Sequence, residues 1–169
     1  MKKLFVMICA LFVVLFGASS ALAAENSAMK EITVPVTLTI AHSTKHINVT
    51  LPAAMPVSVL DGRVLTAETL QIRNHPDSAD IKVAGIEIRS GRFTVASYRS
   101  FQDLGKNQIA LSINGCPSTG PGPLTLNDTA FPVIRAGEAL PIRYQAKVSS
   151  VADVEGVNAA NVIFTLKAV

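Results

Sequence analysis

Between Glu31 and Ile40 the apolar residues Ile32, Val34, Val36, Leu38 and Ile40 alternate with Thr33, Pro35, Thr37 and Thr39. This two-residue period predicts a strand with one buried face. Pro35 has no N–H, so the strand belongs at a sheet edge, or Pro35 faces away from a ladder partner. The pattern breaks from Ala41 to Lys45, resumes at Ile47, Val49 and Leu51, and is interrupted again by Pro52 to Pro56. Val57 and Val59 then lead into Asp61-Gly62, a two-residue hairpin signal, with Val64 on the return.

The stretch from Thr69 to Ser90 organises the rest. Leu70 and Ile72 alternate with polar neighbours, Asn74 to Asp80 is a cluster of turn formers, and Ile81, Val83, Ile86 and Ile88 follow. That order predicts a strand, a polar corner and a second strand. The apolar set changes phase across Ala84-Gly85, which predicts a β-bulge there.

Further along, Phe93, Val95 and Ser97 share one face of a strand over 92–98, and Ile109, Leu111 and Ile113 mark another over 108–114. Asn114 to Pro123 has the composition of a loop, and Leu124 with Leu126 makes a short strand at most. A turn at Ile134 to Ala139 opens a strand carrying Leu140, Ile142, Tyr144, Ala146 and Val148. A polar loop over 149–161 precedes the last strand, with Val162, Phe164 and Leu166 on one face. About eight to ten short strands, with no amphipathic helix of about ten residues or more, predict an all-β chain. The expected architecture is a single antiparallel β-sandwich of Greek-key, Ig-like or jelly-roll type.

Ahead of this pattern stands a segment of another kind. Lys2 and Lys3 precede an apolar run from Leu4 to Phe16, and Ala21-Leu22-Ala23 has the small-x-small form of a processing site. Residues 1–24 are therefore read as a cleaved signal peptide, and the run is short for a membrane span. Residues 25–169 then form the β domain, with 25–41 as leader and candidate donor strand.

Removing Lys2 and Lys3 leaves 15 − 2 = 13 basic against 12 acidic residues, so the formal charge falls from +3 to +1. No basic stripe argues for nucleic acid, and no Arg-rich face argues for anionic lipid. Of the two cysteines, Cys9 lies in the signal and only Cys116 remains, so an intramolecular disulfide is ruled out. Cys116 sits in the loop composition, as an unpaired thiol or as a candidate intermolecular one.

Leu70-Gln71-Ile72-Arg73-Asn74 followed by Asp80-Ile81-Lys82-Val83, and later Ala136-Gly137-Glu138-Ala139-Leu140-Pro141-Ile142-Arg143-Tyr144, resemble secreted bacterial β-sandwich surface proteins of the camelysin/TasA and WxL-like kinds. The resemblance spans about half of the mature chain. It implies a strand ending in Asn that passes through a polar turn to the next strand, and a Gly-Glu turn that starts a late strand. The chain has no WxL tripeptide, so peptidoglycan binding by that signature is not carried over, and neither is protease activity.

Candidate chemistry is sparse. His42 and His46 have the i,i+4 spacing of a zinc helix, but lack the intervening Glu and fall between strands, which reads as two loop histidines. Asp77 and Asp80 with Ser78 offer oxygens to a cation, or form a solvated turn. Asn48-Val49-Thr50 and Asn127-Asp128-Thr129 match the glycosylation sequon. No Gly-x-Ser-x-Gly elbow and no carboxylate pair stands out. No catalytic, cofactor or metal residues are assigned.

The expected function is a non-enzymatic exported subunit, structural or adhesive, at the bacterial surface, in the matrix, or in a periplasm. Its partners would be copies of itself or other surface proteins. Ile32, Val34, Val36, Leu38 and Ile40 are the candidate strand-exchange residues, able to complete their own domain or to add to a neighbour's sheet. Two alternatives stand beside this: a carbohydrate-binding module using Tyr98, Phe101, Phe131 or Tyr144 as sugar platforms, and, least favoured, a secreted metalloprotease-like protein.

Overall fold

The structure is a computed structural model, and it describes residues 30–41, 45–68, 70–149 and 156–169. The signal segment, the leader up to residue 29, His42 and residues 150–155 of the polar loop before the last strand lie outside the described residues. Fifteen strands follow in order: β1 Lys30–Thr33, β2 Val36–Ile40, β3 Val49–Thr50, β4 Val57–Leu60, β5 Arg63–Thr66, β6 Leu70–Asn74, β7 Ile81–Ser90 and β8 Thr94–Val95. Then come β9 Gln108–Ile113, β10 Cys116–Pro117, β11 Gly122–Pro123, β12 Ala139–Ile142, β13 Tyr144–Val148, β14 Val157–Asn158 and β15 Ala160–Ala168.

The chain is all-β, and no helix occurs among the described residues. The single two-sheet sandwich is not what forms. Hydrogen bonding divides the strands among four small sheets, β14-β1-β4-β5, β10-β9-β13 with β8 beside β9, β11-β7-β15-β2, and β12-β6-β3, set as a propeller-like ring. The purely antiparallel expectation also fails, because β1 with β14, β2 with β15, and β8 with β9 run parallel.

The larger strand count has a physical cause: two periodic stretches each serve two sheets. Ile32 to Ile40 breaks at Val34-Pro35, where the missing N–H ends one ladder. β1 pairs with β4 and β14, and β2 pairs with β15. Likewise Leu140 to Val148 breaks at Arg143, so β12 pairs with β6 and β13 with β9. Periodicity records which face is buried and does not record a change of ladder partner.

Several local expectations hold. Asp61-Gly62 closes the β4–β5 hairpin, with Leu60 opposite Arg63. The bulge in β7 sits opposite Thr165 and Leu166, which pair with Gly85 and Val83 and leave Ala84 extra and exposed. Val162, Phe164 and Leu166 are buried along β15. One continuous core joins side chains from all four sheets, with Phe93, Phe131 and Phe164 its largest fully buried members. Burying each such ring contributes about 1.5–3 kcal/mol.

Candidate interaction surfaces

The candidate strand-exchange residues divide at Pro35. Ile32 and Val34 are fully buried in their own domain, Val36 and Leu38 are half-buried, and Ile40 is 47% exposed. In this chain the segment therefore completes its own fold, through ladders to β4, β14 and β15.

Register decides what β2 leaves open. The Pro35 carbonyl accepts from Val162 N–H, and Ala41 N–H donates to the Leu166 carbonyl, so odd-numbered residues carry the β15 ladder. The backbone groups of Val36, Leu38 and Ile40 then point to the opposite side. Val36 N–H donates to the Ala53 carbonyl there. No described residue meets the outward backbone groups of Leu38 and Ile40.

The polar corner after β6 is internally spent. His75 N–H donates to the Asn48 carbonyl, Ala79 N–H to the His46 carbonyl, and Asn48 N–H to Ser78 Oγ at 3.1 Å. Asn48 Nδ2 donates to both Asp77 oxygens, at 2.9 and 3.0 Å, and His46 Nε2 lies 3.6 Å from the same carboxylate. The Asn48 amide, with His46 assisting, holds the Asp77 carboxyl below its usual range. Asp80 Oδ1 instead accepts from Ala136 N–H at 3.0 Å, so the two carboxylates serve different partners. Among the described residues no group of three or more His, Cys, Asp or Glu is gathered as a metal would need. His75 Nε2 is 2.8 Å from Thr50 Oγ1. In the second sequon Asn127 Oδ1 accepts from the Thr129 N–H and hydroxyl.

Cys116 corrects the loop reading. It lies on β10, opposite Ile113, and is only 4% exposed, a free thiol packed into the core. Asn114 (φ 46°) and Gly115 (φ 79°) form the turn that returns the chain along β9, and this return carries the thiol inward. An intermolecular bridge through Cys116 would first have to open that turn.

The four aromatic candidates also find other uses. Phe131 and Tyr144 are buried. The Tyr144 hydroxyl donates to the Pro56 carbonyl and accepts from Ala67 N–H at 3.1 Å. Tyr98 donates to Gln145 Oε1 at 2.9 Å, and Lys147 Nζ sits 4.5 Å above its ring. Phe101 is half-buried.

A surface that the alternation hides runs over the outer face of β3, β6 and β12. Register puts Thr50 and Ala139 on either side of Arg73, and Pro141 opposite Gln71. Two clefts of about 520 and 360 Å³ lie along this face, and a third of about 520 Å³ follows past Pro141 and Arg143, lined beyond them by residues of β9, β13 and the 129–132 segment. Leu70 and Gln71 line both the first and the second, and Pro141 and Arg143 line both the second and the third. Sharing these walls, the three clefts adjoin one another in a row, called the groove below. The sequence signal for it was the outward phase of Gln71, Arg73, Pro141 and Arg143, read only as the solvent side of two strands.

Comparison of the chain with protein-family models, with curated proteins and with solved structures finds no match, so the functional reading rests on these surfaces and on the residue patterns themselves.

Proposed function

We propose that this chain is an exported, non-enzymatic structural or adhesive subunit of a bacterial surface or matrix, and that it associates with further copies of itself through the outer edge of β2. One observation carries the reading: β2 is fully laddered to β15 on one side, while on the other the backbone groups of Leu38 and Ile40 meet no partner among the described residues. Ile40, at 47% exposure, adds an apolar side chain to that edge. An uncapped edge is a template for another strand. Two copies meeting there about a twofold axis would pair β2 with β2 and extend both sheets. The opposite edge of the same sheet is the two-residue β11, where Pro123 offers no donor.

Growth beyond a pair would use exchange of residues 30–41, because their ladders to β4, β14 and β15 accept the same segment from a neighbour in the same register. The secretion-like first 24 residues and the resemblance to camelysin/TasA and WxL-like surface proteins support the setting.

Light-scattering mass and electron microscopy of the processed chain test the proposal. Ile40→Pro removes an outward N–H at an exposed position and leaves the β15 ladder intact, and Ile40→Lys places a charge on the edge. Self-association lost in both variants, at unchanged unfolding midpoint, supports it. A wild-type chain that stays monomeric over a wide concentration range overturns it.

A further inference from the structure

The groove on β3, β6 and β12 lies on a different sheet from the β2 edge, and it has its own chemistry. Two arginines bracket it. Arg73 stands beside Ala139, and Arg143 follows Pro141 on the same face, four residues further along the β12 strand line. At about 3.3 Å per residue the two side chains leave the backbone about 13 Å apart along the strand direction. Both residues are exposed, and among the described residues neither guanidinium has an ion-pair or hydrogen-bond partner.

Between the arginines lie an amide, Gln71, and the flat ring of Pro141, and Gln145 lines the far cleft. Among the described residues Glu68 is the one carboxylate on the lining of these clefts, and His75 at the near end is engaged by Thr50.

Those features select a ligand. A groove spanning three clefts suits an extended polymer more than a compact molecule. Among the described residues no exposed aromatic ring lines it, so they offer no stacking platform of the kind that holds neutral sugars. Spaced guanidinium forks are built for carboxylate or sulfate groups, which they bind through paired, charge-assisted hydrogen bonds. The side-chain amide of Gln71 between them matches a sugar hydroxyl. A peptide strand would look for a long open ladder edge, whereas the edges of this sheet are the two-residue β3 and β12, where Pro141 has no N–H and its carbonyl accepts from Asn114 Nδ2.

We propose that the outer face of β6 and β12 binds an acidic polysaccharide, with Arg73 and Arg143 each taking one anionic group of the chain and Gln71 hydrogen-bonding the sugar between them. The site stands independently of the β2 edge, and the two are separable by experiment.

Titration of the processed chain with polygalacturonate, dextran sulfate, neutral dextran and poly-glutamate, followed by calorimetry at low and at high salt, tests it. The expected result is binding of polygalacturonate or dextran sulfate, which also tells carboxylate from sulfate, with no binding of dextran. The affinity should fall about tenfold in each of Arg73→Gln and Arg143→Gln, and fall again at high salt. Both variants should keep the wild-type unfolding midpoint and state of association. Four results overturn the proposal: no binding of either acidic glycan, equal binding of dextran, wild-type affinity retained in either variant, or poly-glutamate bound as well as the glycans.

Discussion

Asn74 Nδ2 lies 3.1 Å from the carbonyl oxygen of Ile134, sixty positions away in the chain, and this contact ties the corner after β6 to the turn before β12. The same amide donates to the Ala79 carbonyl at 2.9 Å, so both of its N–H groups are used. Backbone bonds reinforce the tie, from Asn74 N–H to the Glu138 carbonyl and from Gly137 N–H to the Asn74 carbonyl. Asn74 is fully buried. Asn74→Ala removes both side-chain bonds, while the Ile134 carbonyl keeps Ile81 N–H and the Ala79 carbonyl keeps Ser78 Oγ. The expected loss is about 1–3 kcal/mol, read from urea unfolding. Asn74→Asp should cost more, because it sets a buried carboxylate against two carbonyl oxygens. Equal stability of all three chains would refute this role.

Asn74 also marks how far the sequence could be read. The two segments singled out by their turn chemistry, 70–83 and 136–144, prove to be neighbours, joined by the β6–β12 ladder and by this side chain. The Ala84-Gly85 bulge and the Asp61-Gly62 hairpin were legible because each is a local matter of phase or turn type. The division into four sheets was not. Ile32 to Ile40 and Leu140 to Val148 each keep their alternation while changing partner, at Pro35 and at Arg143. At the second break the cause is distant: Asn114 Oδ1 accepts from Arg143 N–H at 2.7 Å, and Asn114 N–H donates to the Arg143 carbonyl. The two arginines of the groove were hidden in the same way, since an outward phase marks every exposed strand residue alike.

The second turn with hairpin chemistry, Asn114-Gly115, governs Cys116. A Cβ on Gly115 would meet nothing within 4 Å, so Gly115→Ala tests the backbone alone. At φ 79° an L-residue is strained by about 1–2 kcal/mol. The strain favours opening of the β9–β10 turn, and the thiol becomes accessible in proportion. Labelling of Cys116 by a disulfide reagent should be slow in the native wild-type chain and about 5–30-fold faster in the variant. Immediate labelling of the native wild type would show that the thiol is not held in the core.

Tyr144 gives the fold a pH dependence at the alkaline end. Burial holds its phenol above the usual value, and the Ala67 amide offsets part of that rise. A group whose folded pKa is raised keeps more protons in the native state, so its stabilisation is complete below the unfolded value of about 10. It is lost as pH rises through the folded value. Tyr144→Phe leaves the Pro56 carbonyl and the Ala67 N–H without the hydroxyl, at a cost of about 1–2 kcal/mol near neutrality. The gap between wild type and variant should hold constant up to about pH 9 and narrow as pH rises past about 10, measured by urea midpoints. A gap that widens instead would contradict the sign.

Gly91 and Gly85 lie in or beside β7 and should respond differently to the same substitution. A Cβ on Gly85 would stand 3.8 Å from Thr165 Cβ, an ordinary contact. A Cβ on Gly91 would stand 2.8 Å from the Asn158 carbonyl oxygen and 2.9 Å from that of Ala159, closer than a side chain tolerates. Those two carbonyls also accept the N–H groups of Gly91, Arg92 and Phe93, and so hold the chain leaving β7 against the entry to β15. Relieving the clash must lengthen bonds that place the buried Phe93. Gly91→Ala should therefore destabilise by about 1–3 kcal/mol, and Gly85→Ala by well under about 1 kcal/mol. Thermal unfolding of the two variants side by side decides it, and equal midpoints would show that the β7 to β15 junction gives way at little cost.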